Sequence, residues 1–537
     1  MARIRTSGGA SRALATVALA TVALAAAALV TGALAASPAT ALAQGSGLES
    51  SFEQARAVLA RSMAAHGGAE RIARIGTVRL QLKGDITTGL QQFDPQKPGT
   101  HEGVVESRVI MDLAKGRYRT TGEQRSIGGF VFPYSAVYKD GGVTFTNPYP
   151  PSFNRTPVGD AEEGREQTAN TGTRLQPPVL LKLAAQRLAT LRDEGSGSFE
   201  GRAVRRIAFN LDKNTRVSLA IDTESHRVLG FEQLAPDALA GIDTARWVYR
   251  GSQTVDGLVV PQGATIFRRG APFFDLTLVS IAYDDAAKLA DGEFDLDAKY
   301  VAFTAPPLEV KQIRPGLWEV SGAAQGNYRM QFAELSDRVV AYDAPVSPPT
   351  VKAIVDKFRE KVPSKPISHA VLSHFHNDHI GGVRTLAELG ASIVTTADAQ
   401  ATVQKVVLQQ ARLLTVTDIA LPAPKFTIAT PGLDIGEAKR PLRVLEVRDN
   451  PHVNRVLVLH DVANRATMAS DMTSDTVPFN AAFDHFTAWL LQQKDVDLML
   501  GAHHAPLPVK SLQDLQATWR TQQNRAGGAQ GSGRPVS

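Results

Sequence analysis

The sequence predicts a mainly antiparallel β domain followed by an α/β layered domain. Three observations carry that reading. At 537 residues the chain exceeds the size at which a single core stops growing. Short alternating runs bounded by Gly, Asp or Asn fill the first half, the pattern of an antiparallel sheet. From about residue 306 strands alternate with helices, as in a layered α/β domain. Histidine usage follows the same division. Three of the twelve histidines lie in residues 1–300 and nine in 301–537, so the second half is expected to do the chemistry.

The N-terminus stands apart. MARIRTSGGASR carries Arg3, Arg5 and Arg12 and no acid, an alanine-rich apolar run follows, and then SPATALAQGSG. This is the charged, apolar and small-residue order of a secretory signal, residues 1–43, cleaved after Ala43. An uncleaved anchor is the rival, because the run is long enough to span a bilayer. Weakly apolar alanine and the A-x-A site favour cleavage. The expected address is periplasmic or secreted, with no membrane span after cleavage. The chain has no cysteine, so it has no disulfides, and any metal must be held by nitrogen and oxygen. Hydrophobic content is 43%, charged content 21% and net charge +5. This is ordinary globular material, and no basic run with interleaved aromatics points to nucleic acid.

Residues 48–66 read as an amphipathic helix with Phe52, Ala55, Val58 and Leu59 at helical spacing. VRLQLKGDI, SRVIMDLAKGRYRTTG, RVSLAIDT and FDLTLVSIAYD are among the strand-like runs that follow, with a helical insert near 177–191. The first domain covers residues 44–302. Two prolines in FTAPPLEV mark the hinge at 303–310. The second domain covers 306–523. A Gly/Ser-rich tail, 524–537, is expected to be disordered. The opening helix, AHGGAERIARIGTVRLQLKGD and WVYRGSQTVDGLVVPQGATIF resemble the LolA-like periplasmic lipoprotein carriers. That resemblance implies a curved sheet closed by helices that holds an acyl chain. A β-rich domain that merely supports its neighbour explains the same runs equally well.

The densest chemistry is SHFHNDHIGG, residues 373–382, at the end of the apolar strand PISHAVLSH. On an extended segment side chains at i and i+2 point the same way, so His374 and His376 can grip one ion. Asp378 and His379 lie where the strand turns and can reach a second. Imidazole and carboxylate suit zinc, manganese or iron. Gly381 and Gly382 are expected to let the backbone turn tightly.

SHFHNDHIGG resembles the metal motif of the metallo-β-lactamase superfamily over roughly residues 306–520. The resemblance implies an αββα sandwich and further ligands in order. RVVAYDAP supplies Asp343, which supports the metal loop. NPHVNRVLVLHD offers His452, favoured over His460. RATMASDMTS offers Asp471 as a bridge. DLMLGAHHAP offers His503, or His504, with His503 preferred by its distance from Pro506. One divalent ion, zinc before manganese or iron, would take His374, His376 and His452. A second would take Asp378, His379 and His503, with Asp471 bridging. The implied activity is an exported hydrolase whose metal-bridging hydroxide, oriented by Asp378, attacks an ester, lactone, thioester or lactam.

The lack of cysteine excludes the zinc-cysteine lactamases. His376 disfavours flavin-linked di-iron reductases, which carry Glu there. Asp471 weakens lactam hydrolysis. Export argues against the nucleases and against glutathione thioesters. The substrate is a small molecule, with a lipid-like one suggested by the first domain. The rival reading is a periplasmic lipid- or lipoprotein-binding protein whose metal domain is structural. Asn327 in QGNYRM is placed either over the site or in a simple turn. Oligomeric state is left open.

Overall fold

The opening helix, α1 (Gly47–Ala65), buries Ala55, Val58, Leu59, Ser62 and Met63, one stripe at the helical period. After it, strand β1 (Thr77–Ile86) alternates buried Val78, Leu80 and Leu82 with more exposed Arg79, Gln81 and Lys83, the period of two that puts one face into a core. The computed structural model describes residues 47–530 except 88–89, 98–102, 127–129, 149–150, 238–240, 285–288, 305, 325–327, 410–422 and 474–477. The expected signal segment, residues 1–43, lies outside the described residues.

Among the described residues the first half forms a 14-stranded sheet, with β1 near its middle, and a two-stranded hairpin of Gln253–Val255 and Leu258–Val260. On one side β1 pairs antiparallel with β2 (Gly103–Asp112), and a meander continues to Pro151–Pro157. Val301–Ala302 closes that edge in parallel with Ser152 and Phe153. On the other side β1 pairs with Ala271–Asp284, and the sheet steps out to Arg192–Phe199. One face is covered by α1 and by the helix Pro177–Gln186. Val179, Leu180, Leu181 and Leu183 of that helix share a core with Leu80, Leu82, Phe209, Phe231 and Trp247. Fully burying one such leucine contributes about 1.5–3 kcal/mol.

The second half begins with Glu309–Arg314. Two sheets face each other. One has seven strands from Glu309–Arg314 to Lys425–Ile428, and the other five strands from Leu442–Asn450 to Leu507–Pro508. Val340, Tyr342, Val371 and Val394 of the first meet Leu442, Leu457, Leu459 and Met468 of the second in an apolar inner core. Helices Pro348–Arg359, Val383–Glu388 and Gln400–Gln409 cover the outer face of the first sheet. Ala481–Leu490 and Val509–Gln530 lie on the second. The layers run helix, sheet, sheet, helix. Residues 524–530, which the sequence assigns to a disordered tail, are a correction: the last helix continues through them to Gln530. Propagation from the formed helix carries them, against Gly527 and Gly528, which each disfavour helix by about 1 kcal/mol. Residues 531–537 lie outside the described residues.

Candidate metal centre

The metal loop leaves the buried strand Ile367–Val371, which runs parallel to Val339–Tyr342 with Tyr342 beside Val371. Tyr342 hands over to Asp343, a non-glycine residue at φ +65. Such a conformation is costly and persists only where its surroundings hold it. Asp343 Oδ1 accepts from the Ser373 amide at 2.8 Å. Its Oδ2 accepts from His379 Nδ1 at 3.1 Å and from Ser470 Oγ at 2.7 Å. Asp343 therefore fixes the start of the loop and one of its imidazoles together.

The turn after Asp343 clamps the loop from behind. Ala344 donates to the His379 carbonyl, Val346 to the Asp378 carbonyl, and Gly382 to the Ala344 carbonyl, all at 2.8–2.9 Å. Gly381 and Gly382 are needed for this approach and not for a special backbone angle. Their φ values are −57 and −101. A Cβ on Gly381 would lie 2.1 Å from the Val346 carbonyl, and one on Gly382 2.1 Å from Val351 Cγ2.

The structure brings all seven expected ligands together in three overlapping sets: His374, His376 and His452; His374, His379 and Asp471; Asp378, His379 and His503. Within each set the ligand atoms lie within 4.8 Å of one another. The His374 ring centre is 4.4 Å from that of His376 and 4.5 Å from that of His379. Asp471 Oδ2 is 3.3 Å from His379 Nε2 and 3.2 Å from His452 Nε2, between the two outer sets.

The pattern of satisfied and unsatisfied atoms fits a metal. His374 Nδ1 is held by Ser373 Oγ at 2.9 Å, and its Nε2 is buried with no hydrogen-bond partner. Asp471 Oδ1 is buried and unpartnered in the same way. His379 Nε2 is buried with no hydrogen bond and faces the Asp378 and Asp471 carboxylates at 3.3 Å. Buried polar atoms are normally paired, and leaving one unmet costs about 1–3 kcal/mol. Two such atoms converge here with His379 Nε2 in one ligand set, where a divalent cation would satisfy them all.

The electrostatics agree. Burial pushes His374 well below the ordinary histidine range, and burial with the His452 charge pushes His376 down to about 3. Neutral imidazoles are the form a metal binds. Burial alone would raise Asp378 and Asp471, but the neighbouring imidazoles, His379 first, outweigh it and hold both carboxyls well below their ordinary value. Burial would lower His379, yet Asp378 and Asp471 push it well above. The two carboxylates thus face a cation, the His379 imidazolium here, whose place a bound metal ion would take.

The competing histidines separate on their contacts. His504 is turned away: Nε2 meets Thr473 Oγ1 at 2.7 Å and Nδ1 meets its neighbour's carbonyl, that of Ala505, at 2.6 Å. His460 is bound to the Ala466 carbonyl and Thr467 Oγ1, outside the three sets. Asn327 lies outside the described residues, but its neighbour Tyr328 is a site residue that the sequence reading missed. Its hydroxyl donates to Asp378 Oδ2 at 3.0 Å, and its ring packs 4.6 Å from that of His503. Burial, then Asp378, pushes the Tyr328 hydroxyl far up, so it remains a donor. The sequence reading also missed Gln91 and Gln92, which reach the loop from the first sheet.

Residues 345–395 match the profile of the metallo-beta-lactamase superfamily. The matched segment runs from just after Ala344 through the metal loop to the strand beyond it. Comparison with curated proteins gave no match. Solved structures with partial similarity include a metallo-beta-lactamase from Hirschia baltica, 17% identical, TM-score 0.30, covering 40% of this chain and 97% of that one. FIM-1 from Pseudomonas aeruginosa, in its mono-zinc form, is 17% identical with TM-score 0.32, covering 41% and 96%. The stereoselective inverting sec-alkylsulfatase Pisa1 from Pseudomonas sp. is 15% identical with TM-score 0.32, covering 43% and 46%. Among the described residues no helix is long and apolar enough to cross a membrane.

Proposed function

We propose that this chain is an exported metal-dependent hydrolase with a binuclear centre, acting on a small-molecule ester, lactone, thioester or lactam. The observation that carries the reading is the convergence of two buried, unpartnered ligand atoms, His374 Nε2 and Asp471 Oδ1, with His379 Nε2 inside a seven-residue nitrogen and oxygen ligand set. His374, His376 and His452 would hold one ion. Asp378, His379 and His503 would hold the other, with Asp471 between them. Bound there, divalent ions, zinc foremost, would supply Lewis acidity and a water acidic enough to act near neutral pH.

The protein's own groups do the rest. Asp378 Oδ2 receives the Tyr328 hydroxyl and Oδ1 the Gln91 amide, so the carboxylate is held in one orientation. Its low proton affinity suits it to orient a nucleophilic water rather than to store the proton. Asp378 has a side chain 31% exposed, against 1% for His379, which puts the approach for substrate on the side of Asp378, Tyr328 and His503. Carbon, phosphorus and sulfur esters all suit this chemistry, and the substrate is assigned a carbon centre.

Elemental analysis of the mature chain from Gln44 tests the reading. The expected result is about two zinc-like ions per chain, with His376→Ala losing most of them and reducing hydrolysis of activated esters, lactones and thioesters to near background. A wild-type chain that takes up no metal after refolding with zinc, yet binds lipid, would favour the binding-protein reading instead.

A further inference from the structure

The connection between β1 and β2 belongs to the first sheet, yet four consecutive residues of it reach into the metal centre. The Leu90 carbonyl accepts from the Asn377 amide at 2.9 Å. Gln91 Nε2 donates to Asp378 Oδ1 at 2.7 Å and to Asn377 Oδ1. The Gln92 carbonyl meets His376 Nε2 at 3.0 Å. The Phe93 carbonyl accepts from the Asn454 amide at 2.8 Å, two residues beyond His452. These contacts bridge more than 280 residues of sequence for Gln91 and Gln92.

The segment is shaped for this. Leu90 sits at φ +73, a conformation that leucine rarely adopts, and its side chain packs against two cores of the second half. Gln92 is buried, and its side-chain oxygen turns back to accept from the Gln91 amide at 3.2 Å and from the Leu90 amide. The turn is therefore tied off by its own side chain, which leaves the Gln92 main-chain carbonyl aimed outward at His376.

That carbonyl decides a tautomer. A carbonyl can only accept, so His376 Nε2 carries the hydrogen and Nδ1 offers its lone pair. Nδ1 lies 3.0 Å from His452 Nε2, on the side where the first ligand set converges. Imidazole ligands commonly donate their second N–H to a carbonyl or carboxylate, and losing such a partner costs 10–100-fold in metal affinity.

We infer that Leu90–Phe93 is a built-in part of the metal centre, in which Gln91 and the Gln92 carbonyl are positioning groups that set Asp378 and His376 for ion binding. The first sheet therefore completes the site. This rests on the metal-binding reading above and goes beyond it, since it assigns ion affinity to residues outside the second half.

The test uses the full mature chain and cobalt(II) alone as probe, read by its visible absorption and by competition with a chelator. Gln91→Met keeps the length and apolar stem but removes the donor. It should weaken one of the two ions about tenfold, and Gln91→Ala should match it, while circular dichroism and Tm stay near wild type. Replacing the turn outright, with Leu90→Gly, Gln91→Ser, Gln92→Gly and Phe93→Gly together, should weaken both ions and alter the cobalt spectrum. Two ions held with wild-type affinity and spectrum in all three variants would overturn the inference and leave the hydrolase reading standing. A wild-type chain that binds no cobalt would sink the hydrolase reading itself, and this inference with it.

Discussion

His66, in the first half, and His374, in the second, are both buried and both pushed down by burial. They differ in what their nitrogens meet. His66 Nδ1 donates to the Val259 carbonyl at 2.8 Å, and Nε2 accepts from the Val228 amide at 3.1 Å. Both ring atoms are used up, and the ring staples α1's end to two strands. His374 has Nδ1 on Ser373 and Nε2 left buried and unpartnered beside Asp471 and His379. Burial and a depressed pKa therefore do not distinguish a structural histidine from a ligand. The unmatched lone pair does.

The largest test of that contrast is acid. Burial, the dominant cause, lowers His66 from 6.5 to about 4 in the folded protein. Between those values the unfolded chain binds the extra proton and the folded chain does not, so stability rises with pH. It is complete above about 6.5 and lost as pH falls toward 4, by about 3 kcal/mol. Urea unfolding of the first half at stepped pH should trace this slope, and His66→Asn should flatten it. An equal slope in both proteins would reassign the acid sensitivity to other groups.

Asp343→Asn comes next. An amide cannot accept at every place where Asp343 now receives Ser373, Ser470 and His379, so His379 loses its fixed tautomer. Metal affinity should fall about 10–100-fold by chelator competition, while His66 titrates as before. Tyr328→Phe removes a single donor from Asp378. The expected loss is about 1 kcal/mol of transition-state stabilisation, or roughly fivefold in kcat/KM, with metal content unchanged. His460→Gln is the smallest. Its Nδ1 is taken by Ala466 and Thr467 and it stands outside the three ligand sets, so metal stoichiometry should match wild type, and a lost ion would return His460 to the ligand set.

The centre was legible in the sequence where its ligands sit close together. His374, His376, Asp378 and His379 fall within six positions, and their chemistry needs no tertiary information. His452, Asp471 and His503 were reachable only through the family pattern, since 72 residues lie between His379 and His452. Gln91, Gln92 and Tyr328 left no signal, because a glutamine in a loop looks the same whether or not a metal loop folds against it. Gly381 and Gly382 were noticed for the wrong cause. What forbids a side chain there is the Val346 carbonyl and Val351, which no local pattern reveals.

The place of β1 has a consequence for how the chain assembles. It pairs on one side with its near neighbour β2, but on the other with Ala271–Asp284, almost two hundred residues later. Joining ends that far apart costs loop-closure entropy before any contact rewards it, which slows folding. During synthesis the middle strand of the sheet stands as an open edge until its distant partner arrives. The turn that touches His376 hangs from that same strand, so the last geometry of the centre waits on one of the slowest pairings in the chain.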